Sequence, residues 1–198
     1  MDEHVTPTMV PTAPTDNVAG LLAERVARSG DEPLIEIKGA DGTWTALTAR
    51  QVSDQVAAVA KGLVAKGVEP GDRIGIMSRT RWEWTLLDFA AWAAGAVPVP
   101  IYETSSAEQV AWIVSDASVG LLVVESEKHR AVVADAVGSG VELRELLVLE
   151  SGAVDDLVAA GAEVPDDEIA RRSALDTAVD LSMIYENIGN NLRTMNNN

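Results

Sequence analysis

The sequence predicts an α/β fold, a mostly parallel sheet covered by helices. Three observations carry that expectation. Short apolar runs alternate with helical segments through the middle of the chain, the pattern of a sheet wound by right-handed crossovers. Arg73 to Met77 is apolar on both faces, as a strand covered on both sides requires. Gly95 to Ser106 compresses a helix end, a β-branched run at Val97–Ile101 and a hydroxyl-rich turn into twelve residues. Polar turns after such strands are where open α/β sheets usually take ligands.

The elements follow in order. Asp16 and Asn17 can cap a helix over Val18 to Ser29, with Val18, Leu21, Leu22 and Val26 on its apolar face and Gly30 after it. Leu34–Ile37 and Thr43–Ala46 flank Asp41-Gly42, the pattern of a β-hairpin. Thr48 and Gln51 make a capping box for a helix carrying Val52, Val56, Val59 and Leu63, which Gly67 stops. After the Pro70-Gly71-Asp72 turn and the Arg73–Met77 strand, Thr80 and Glu83 suggest a second box. It would open a helix over Arg81 to Ala94. Trp82, Trp84, Leu86, Leu87, Phe89 and Trp92 leave that helix little polar face, so it should be mostly buried.

Pro98 and Pro100 place the Val97–Ile101 strand at an edge or a bulge, because they lack donors. Ser105 with Glu108 can cap the next helix, Ala107 to Ala117. Gly120–Val124 reads as a strand, Glu127–Val137 as a helix and Leu146–Leu149 as a strand. Weaker helical segments come after it at Val154–Ala160 and Asp167–Leu175.

Composition narrows the function classes. The chain has 198 residues, 47% hydrophobic and 23% charged, enough for one domain with a real core. Its net charge of −16 repels phosphate backbones, so no nucleic-acid partner is expected. Cysteine is absent, which excludes disulfides, thiolate metal sites and cysteine nucleophiles and suits a cytoplasmic location. Residues 1–17 are acidic and rich in Thr and Pro, without the pattern of a signal peptide, and read as a flexible lead-in. No transmembrane segment is expected, because the most apolar window, Leu86 to Ile101, is shorter than the roughly 20 residues a span needs. A peripheral membrane contact stays open.

The tail departs from the rest. Asn17 is the single asparagine before Glu186, whereas Asn187, Asn190, Asn191, Asn196, Asn197 and Asn198 crowd the last twelve residues. Without apolar periodicity, residues 186–198 read as a disordered or aberrant segment.

Several stretches together resemble one family. They are Thr43-Trp-Thr-Ala-Leu-Thr48, Gly67-Val-Glu-Pro-Gly-Asp-Arg-Ile74, Arg81-Trp-Glu-Trp84 with Leu87-Asp-Phe-Ala90, and Pro100-Ile-Tyr-Glu-Thr-Ser-Ser-Ala-Glu-Gln-Val110. From Asp16 to Tyr185 the chain is similar to the N-terminal part of AMP-forming acyl-CoA ligases, and to the bacterial long-chain fatty-acid–CoA ligases among them. The resemblance implies the N-terminal portion of the large domain of an adenylate-forming enzyme, here residues 18–185. It also implies a two-step reaction. ATP and a fatty acid give an acyl-adenylate and pyrophosphate, and coenzyme A then displaces AMP, with Mg²⁺ at the phosphates. In that family a hydroxyl- and glycine-rich loop, written Y-T-S-G-T-T-G-R-P-K-G, wraps the ATP phosphates. Tyr185 stands where the loop would begin. The next residues, Glu186-Asn-Ile-Gly189 and onward, lack the hydroxyls and the closing lysine. The resemblance therefore implies the parent activity, while the residues after Tyr185 argue that this chain is a truncated form, inactive alone. No catalytic residue can be assigned.

Three groups are candidate site residues. Tyr102, Glu103 and Thr104 could face the acyl or coenzyme A region, although the capping of a helix start explains them equally and is the weightier reading. Lys128, His129 and Arg130 form the densest basic cluster in an acidic chain and, by analogy with the family, could meet the coenzyme A phosphates. A solvated helix face is the plainer account. Trp82, Trp84 and Trp92 could wall a lipid site, but their helical spacing favours core packing. His4 and His129 lie far apart, so no metal site is expected. No Ser/His/Asp set has the spacing of a hydrolase motif. The alternative to a ligase is a free-standing α/β binding or interaction module without catalysis. A ligase fragment would expose sheet edge and apolar surface and should self-associate, whereas the module would use its sheet edge to pair with a partner chain.

Overall fold

A computed structural model describes residues 17–174, apart from residues 40, 139 and 141. Tyr185, residues 1–16 and the asparagine-rich tail lie outside the described residues.

The first elements form where the capping rules place them. Helix α1 (Val18–Ser29) starts at Asn17, whose side chain accepts the Gly20 N–H at 2.6 Å. Leu22 is buried, but Leu21, expected on the same face, is exposed. Consecutive residues are turned by about 100° on a helix, and this short helix offers the core a narrow stripe that reaches one of the two leucines. Strands β1 (Pro33–Lys38) and β2 (Trp44–Thr48) pair antiparallel around a turn in which Gly42 has φ +85° and the Asp41 carboxylate accepts the Thr43 N–H. Helix α2 (Ala49–Ala65) carries the full reciprocal box. Thr48 Oγ accepts the Gln51 N–H and Gln51 Oε1 accepts the Thr48 N–H.

Six further elements alternate, β3 (Arg73–Met77), α3 (Trp82–Ala93), β4 (Val97–Ile101), α4 (Ala107–Asp116), β5 (Val119–Val124) and α5 (Glu127–Val137). Strand β6 (Glu145–Val148), a single 3-10 turn and helices α6 (Ala153–Ala160) and α7 (Asp166–Ser173) complete the described chain. Two expected caps differ. The N-cap position of α3 is Arg81, with no side-chain cap, and Thr80 with Glu83 forms no box. Glu83 instead accepts from Nε and Nη2 of Arg81, each at 2.7 Å, and a bidentate ion pair outcompetes a single bond back to a backbone N–H. The box opening α4 is Ser106 with Gln109, one residue later than Ser105 with Glu108. A tight turn from Tyr102 O to the Ser105 N–H sets that register.

The main sheet is fully parallel in the order β4-β3-β5-β6. The chain steps outward from β3 to β4, returns across β3 to β5, then continues to β6. The covering face changes with the direction of the step. Helix α3 lies with α1, α2, α6 and α7 over Ile74, Ile76, Leu121, Val123 and Leu147, whereas α4 and α5 cover Met77, Val99, Ile101, Leu122 and Val124 on the other face. A uniform handedness of crossover requires that switch.

Strand β4 is an edge strand, as its prolines predict. The Val97 N–H donates inward to Asp72 O at 2.8 Å. Alternation then directs Val99 and Ile101 inward too and turns the donor-less nitrogens of Pro98 and Pro100 to the open side. Trp92 is buried, and Trp82, Trp84 and Phe89 pack against the core, so core packing accounts for the α3 tryptophans.

Candidate functional site at the carboxyl edge of the sheet

Parallel strands deliver their outgoing turns to one edge. Past β3 comes Ser78-Arg79, past β4 Tyr102-Glu103-Thr104, past β5 Glu125-Ser126 and past β6 Leu149-Glu150-Ser151. The winding reverses between β3 and β5, and that switch point is where open α/β sheets leave a crevice for a ligand.

At the switch point sits Glu125, 6% exposed. Its Oε2 accepts the Arg79 backbone N–H at 3.0 Å and lies 3.3 Å from the Ser78 hydroxyl, while Oε1 pairs with Arg79 Nε at 2.9 Å. Arg81 stands 4.0 Å from Oε1 and makes its bidentate pair with Glu83. That hydrogen bonding, from Arg81 first of all, holds the Glu83 carboxyl below the usual carboxylate range, and the same pair raises the Arg81 guanidinium. The backbone ties the segments together as well, with Glu125 N–H on Met77 O and Glu150 N–H on Glu125 O, each at 3.0 Å. A buried carboxylate without donors would be costly, and these donors are what make Glu125 tolerable there.

The candidate residues from the sequence come to the same edge but do not converge. Tyr102, 74% exposed, stands with Glu103 and Thr104 on the turn beyond β4. Lys128, His129 and Arg130 occupy the first turn of α5, beyond β5. Strand β3 separates β4 from β5, which sets the two groups about 10 Å apart at the strand ends. Lys128 and Arg130 are exposed. His129 Nδ1 is 2.8 Å from the Ser126 hydroxyl, a local bond across three residues, and Arg130 reaches Glu127 at 3.4 Å. Tyr185 lies outside the described residues.

Sequence reasoning passed over Ser78, Arg79 and Glu125. The signal present was positional: a charged residue immediately after the apolar strand Val119–Val124, and a Ser-Arg pair immediately after Arg73–Met77. Among the described residues no group of three or more His, Asp or Glu side chains could hold a metal ion. The described residues likewise include no helix long and apolar enough to cross a membrane.

Comparison with known proteins adds to this geometry. Residues 22–185 match the model of the family described as AMP-binding enzyme. The chain is 44% identical over 174 residues to the long-chain-fatty-acid–CoA ligase FadD15 of Mycobacterium tuberculosis, covering 86% of this chain and 29% of that protein. It is 30% identical over 120 residues to the long-chain-fatty-acid–CoA ligase ACSBG2 of Xenopus laevis, covering 61% of this chain and 16% of the relative. The chain thus spans less than a third of the length of these relatives. Among solved structures, a long-chain-fatty-acid–CoA ligase from Archaeoglobus fulgidus superposes with a TM-score of 0.68 at 18% identity, over 78% of this chain and 32% of that one. The N-terminal domain of FACL13 from Mycobacterium tuberculosis gives 0.62 at 24% identity, over 76% and 38%. At those identities the likeness is one of fold.

Proposed function

The chain belongs to the AMP-binding enzyme family, and from that premise we propose that residues 18–185 form the N-terminal part of a long-chain fatty-acid–CoA ligase. The observation that carries the proposal is the 44% identity to a ligase of that name over 174 residues. The parent reaction takes ATP, a fatty acid and coenzyme A. Its phosphate chemistry needs backbone N–H groups and a cation arranged around the α-phosphate. The residues after Tyr185 lack the hydroxyls and lysine of the family's loop. As a separate chain it should therefore form no acyl-adenylate. Its contribution to a ligase is a scaffold: the four-stranded sheet, its helices and the polar carboxyl edge. On this reading Tyr102, Glu103 and Thr104 line the approach of the acyl chain, and Lys128, His129 and Arg130 the approach of the coenzyme A phosphates.

A chimaera tests this. Residues 18–185 replace the matching segment of the mycobacterial ligase, and acyl-CoA formation from palmitate is measured. Retained synthesis supports the proposal, whereas a folded chimaera without activity overturns it. The 198-residue chain alone, given ATP and palmitate, should release no pyrophosphate above the blank.

One observation favours the second reading, a free-standing binding module. The described unit closes on itself. Asn17, before α1, donates to Ser173 O at 3.2 Å, and Arg172 of α7 reaches Val68 O at 2.6 Å. Size-exclusion chromatography separates the two readings. A monomer fits the module, and association fits a scaffold that exposes surface its parent would cover. The prolines blunt the β4 edge, so any strand pairing would use β6 or the hairpin.

A further inference from the structure

We propose that Arg79 is an anion receptor at the switch point, held in place by the buried Glu125 to accept a phosphate or carboxylate group. The proposal does not rest on the ligase reading, because binding an oxyanion here requires neither ATP nor the loop after Tyr185.

Four features lead to it. Arg79 comes two residues after the end of β3, with Ser78 between. Its Nε is fixed by Glu125 Oε1 at 2.9 Å, and its own N–H by Oε2 at 3.0 Å. One buried carboxylate thus holds both ends of the residue. The guanidinium nevertheless stays open, its side chain 66% exposed, and its terminal nitrogens donate no hydrogen bond to the described residues, although the Glu83 carboxylate feels its charge. With Nε engaged, the Nη1/Nη2 edge remains, and that edge matches two oxygens of a carboxylate or phosphate.

Comparison with the other arginines sharpens the point. Arg81, Arg144, Arg171 and Arg172 each place terminal nitrogens on carboxylates, and Arg73 places its own on carbonyls. Arg50 also has Nε on an acid, but its partner Asp31 is itself 90% exposed and holds nothing still. Arg79 alone among these combines a buried holder with a free fork. A receptor fixed before its ligand arrives loses less side-chain freedom on binding. Glu83, Glu125 and Glu150 more than offset Arg79 and Arg81 locally, so recognition depends on the geometry of the fork and not on surplus charge.

The test uses the 198-residue chain at fixed ionic strength, with ¹H–¹⁵N spectra recorded against inorganic phosphate and, separately, acetate. Saturating shifts centred on Ser78, Arg79 and Glu125 are expected. Arg79→Gln should weaken binding about tenfold or more, the loss of one bidentate charge-assisted contact. Arg50→Gln should leave it unchanged. Arg79→Lys keeps the charge without the fork and should also weaken binding, which covers the case in which the glutamine variant folds poorly. Tighter binding of phosphate identifies a phosphate-bearing ligand, and tighter binding of acetate a carboxylate. Equal affinity in wild type and both Arg79 variants overturns the proposal, as does an equal loss in Arg50→Gln.

Discussion

Among the described residues, Asp88 is the carboxyl whose ionisation should work against the fold. It lies on α3 between the buried Leu87 and the core-packed Phe89, half-buried, with no hydrogen bond or ion pair among the described residues. Burial without a partner penalises the charged form and pushes the carboxyl up to about 6, from an ordinary 3.8. The native state therefore holds the proton more tightly than the unfolded chain. The stabilising effect of that proton is complete below pH 3.8, declines as pH rises, and is gone above about 6. Asp88→Asn should raise stability at pH 7 by about 2 kcal/mol and make no difference below pH 4, read as the gap between urea-unfolding curves across pH. A gap that stays constant with pH would rule out this account. Glu168 acts in the opposite sense. Hydrogen bonds from Arg171 and then Arg172 hold its carboxyl down to about 2, so its contribution is present above 4.5 and lost as pH falls towards 2. The comparison of Asp88→Asn with wild type cancels that second effect.

Helices α2 and α6 approach each other closely at Gly62 and Gly161. A Cβ placed on Gly62 would overlap the Leu157 backbone, and one on Gly161 would come within 2.7 Å of Lys61. Inside an exposed helix, Gly→Ala would stabilise by about 1 kcal/mol. Here the added methyl must push the helices away from each other, and Gly62→Ala should instead destabilise by about 2 kcal/mol in urea unfolding. A gain in stability would show that the two helices do not meet as described. Nothing in the sequence around Gly62 announced this contact, because a glycine inside a helical pattern shows only that something is small. The elements themselves were legible. The Thr48/Gln51 box and the Asn17 cap act within four residues, so their signals survive in the sequence, and the ends of α1, β3, β4 and α5 fall where apolar spacing and glycines place them. The parallel order with β3 inside was only implied by alternation, since register is set by packing across the sheet. The Thr80/Glu83 box failed because Arg81 captured Glu83. The carboxyl edge was legible as a place, through the hydroxyls after β4, but Glu125 and Arg79 meet across 46 residues of chain and no local pattern links them.

Across the whole molecule, α7 binds segments that are distant in sequence. Arg172 is 4% exposed. Its Nη1 donates to Val68 O at 2.6 Å and to Ala94 O at 3.4 Å, its Nη2 reaches Glu69 at 3.3 Å, and its Nε meets Glu168 at 2.6 Å. Ala94 comes just after the end of α3, where unpaired carbonyls and the helix dipole favour a cation. Val68 lies on the turn that leads from α2 to β3. One guanidinium thus joins the exits of α2 and α3 to the last described helix, and Ser173 adds a bond from its hydroxyl to Ala93 O at 3.2 Å. Arg172→Met keeps the length and apolar stem but removes every donor, leaving buried carbonyls unmatched. It should cost about 3 kcal/mol or more. Arg172→Lys retains the charge but cannot reach carbonyls and carboxylates on several sides at once, and should recover less than half of that loss. Glu168→Gln, at the rim of the same network, should cost less than Arg172→Met. Hydrogen exchange supplies the decisive comparison. If Arg172 links these exits, its removal should speed exchange at the last turns of α2 and α3 together with α7. Faster exchange confined to α7 would mean that the helix is a passive cover and that the sheet and its carboxyl edge keep their shape without it.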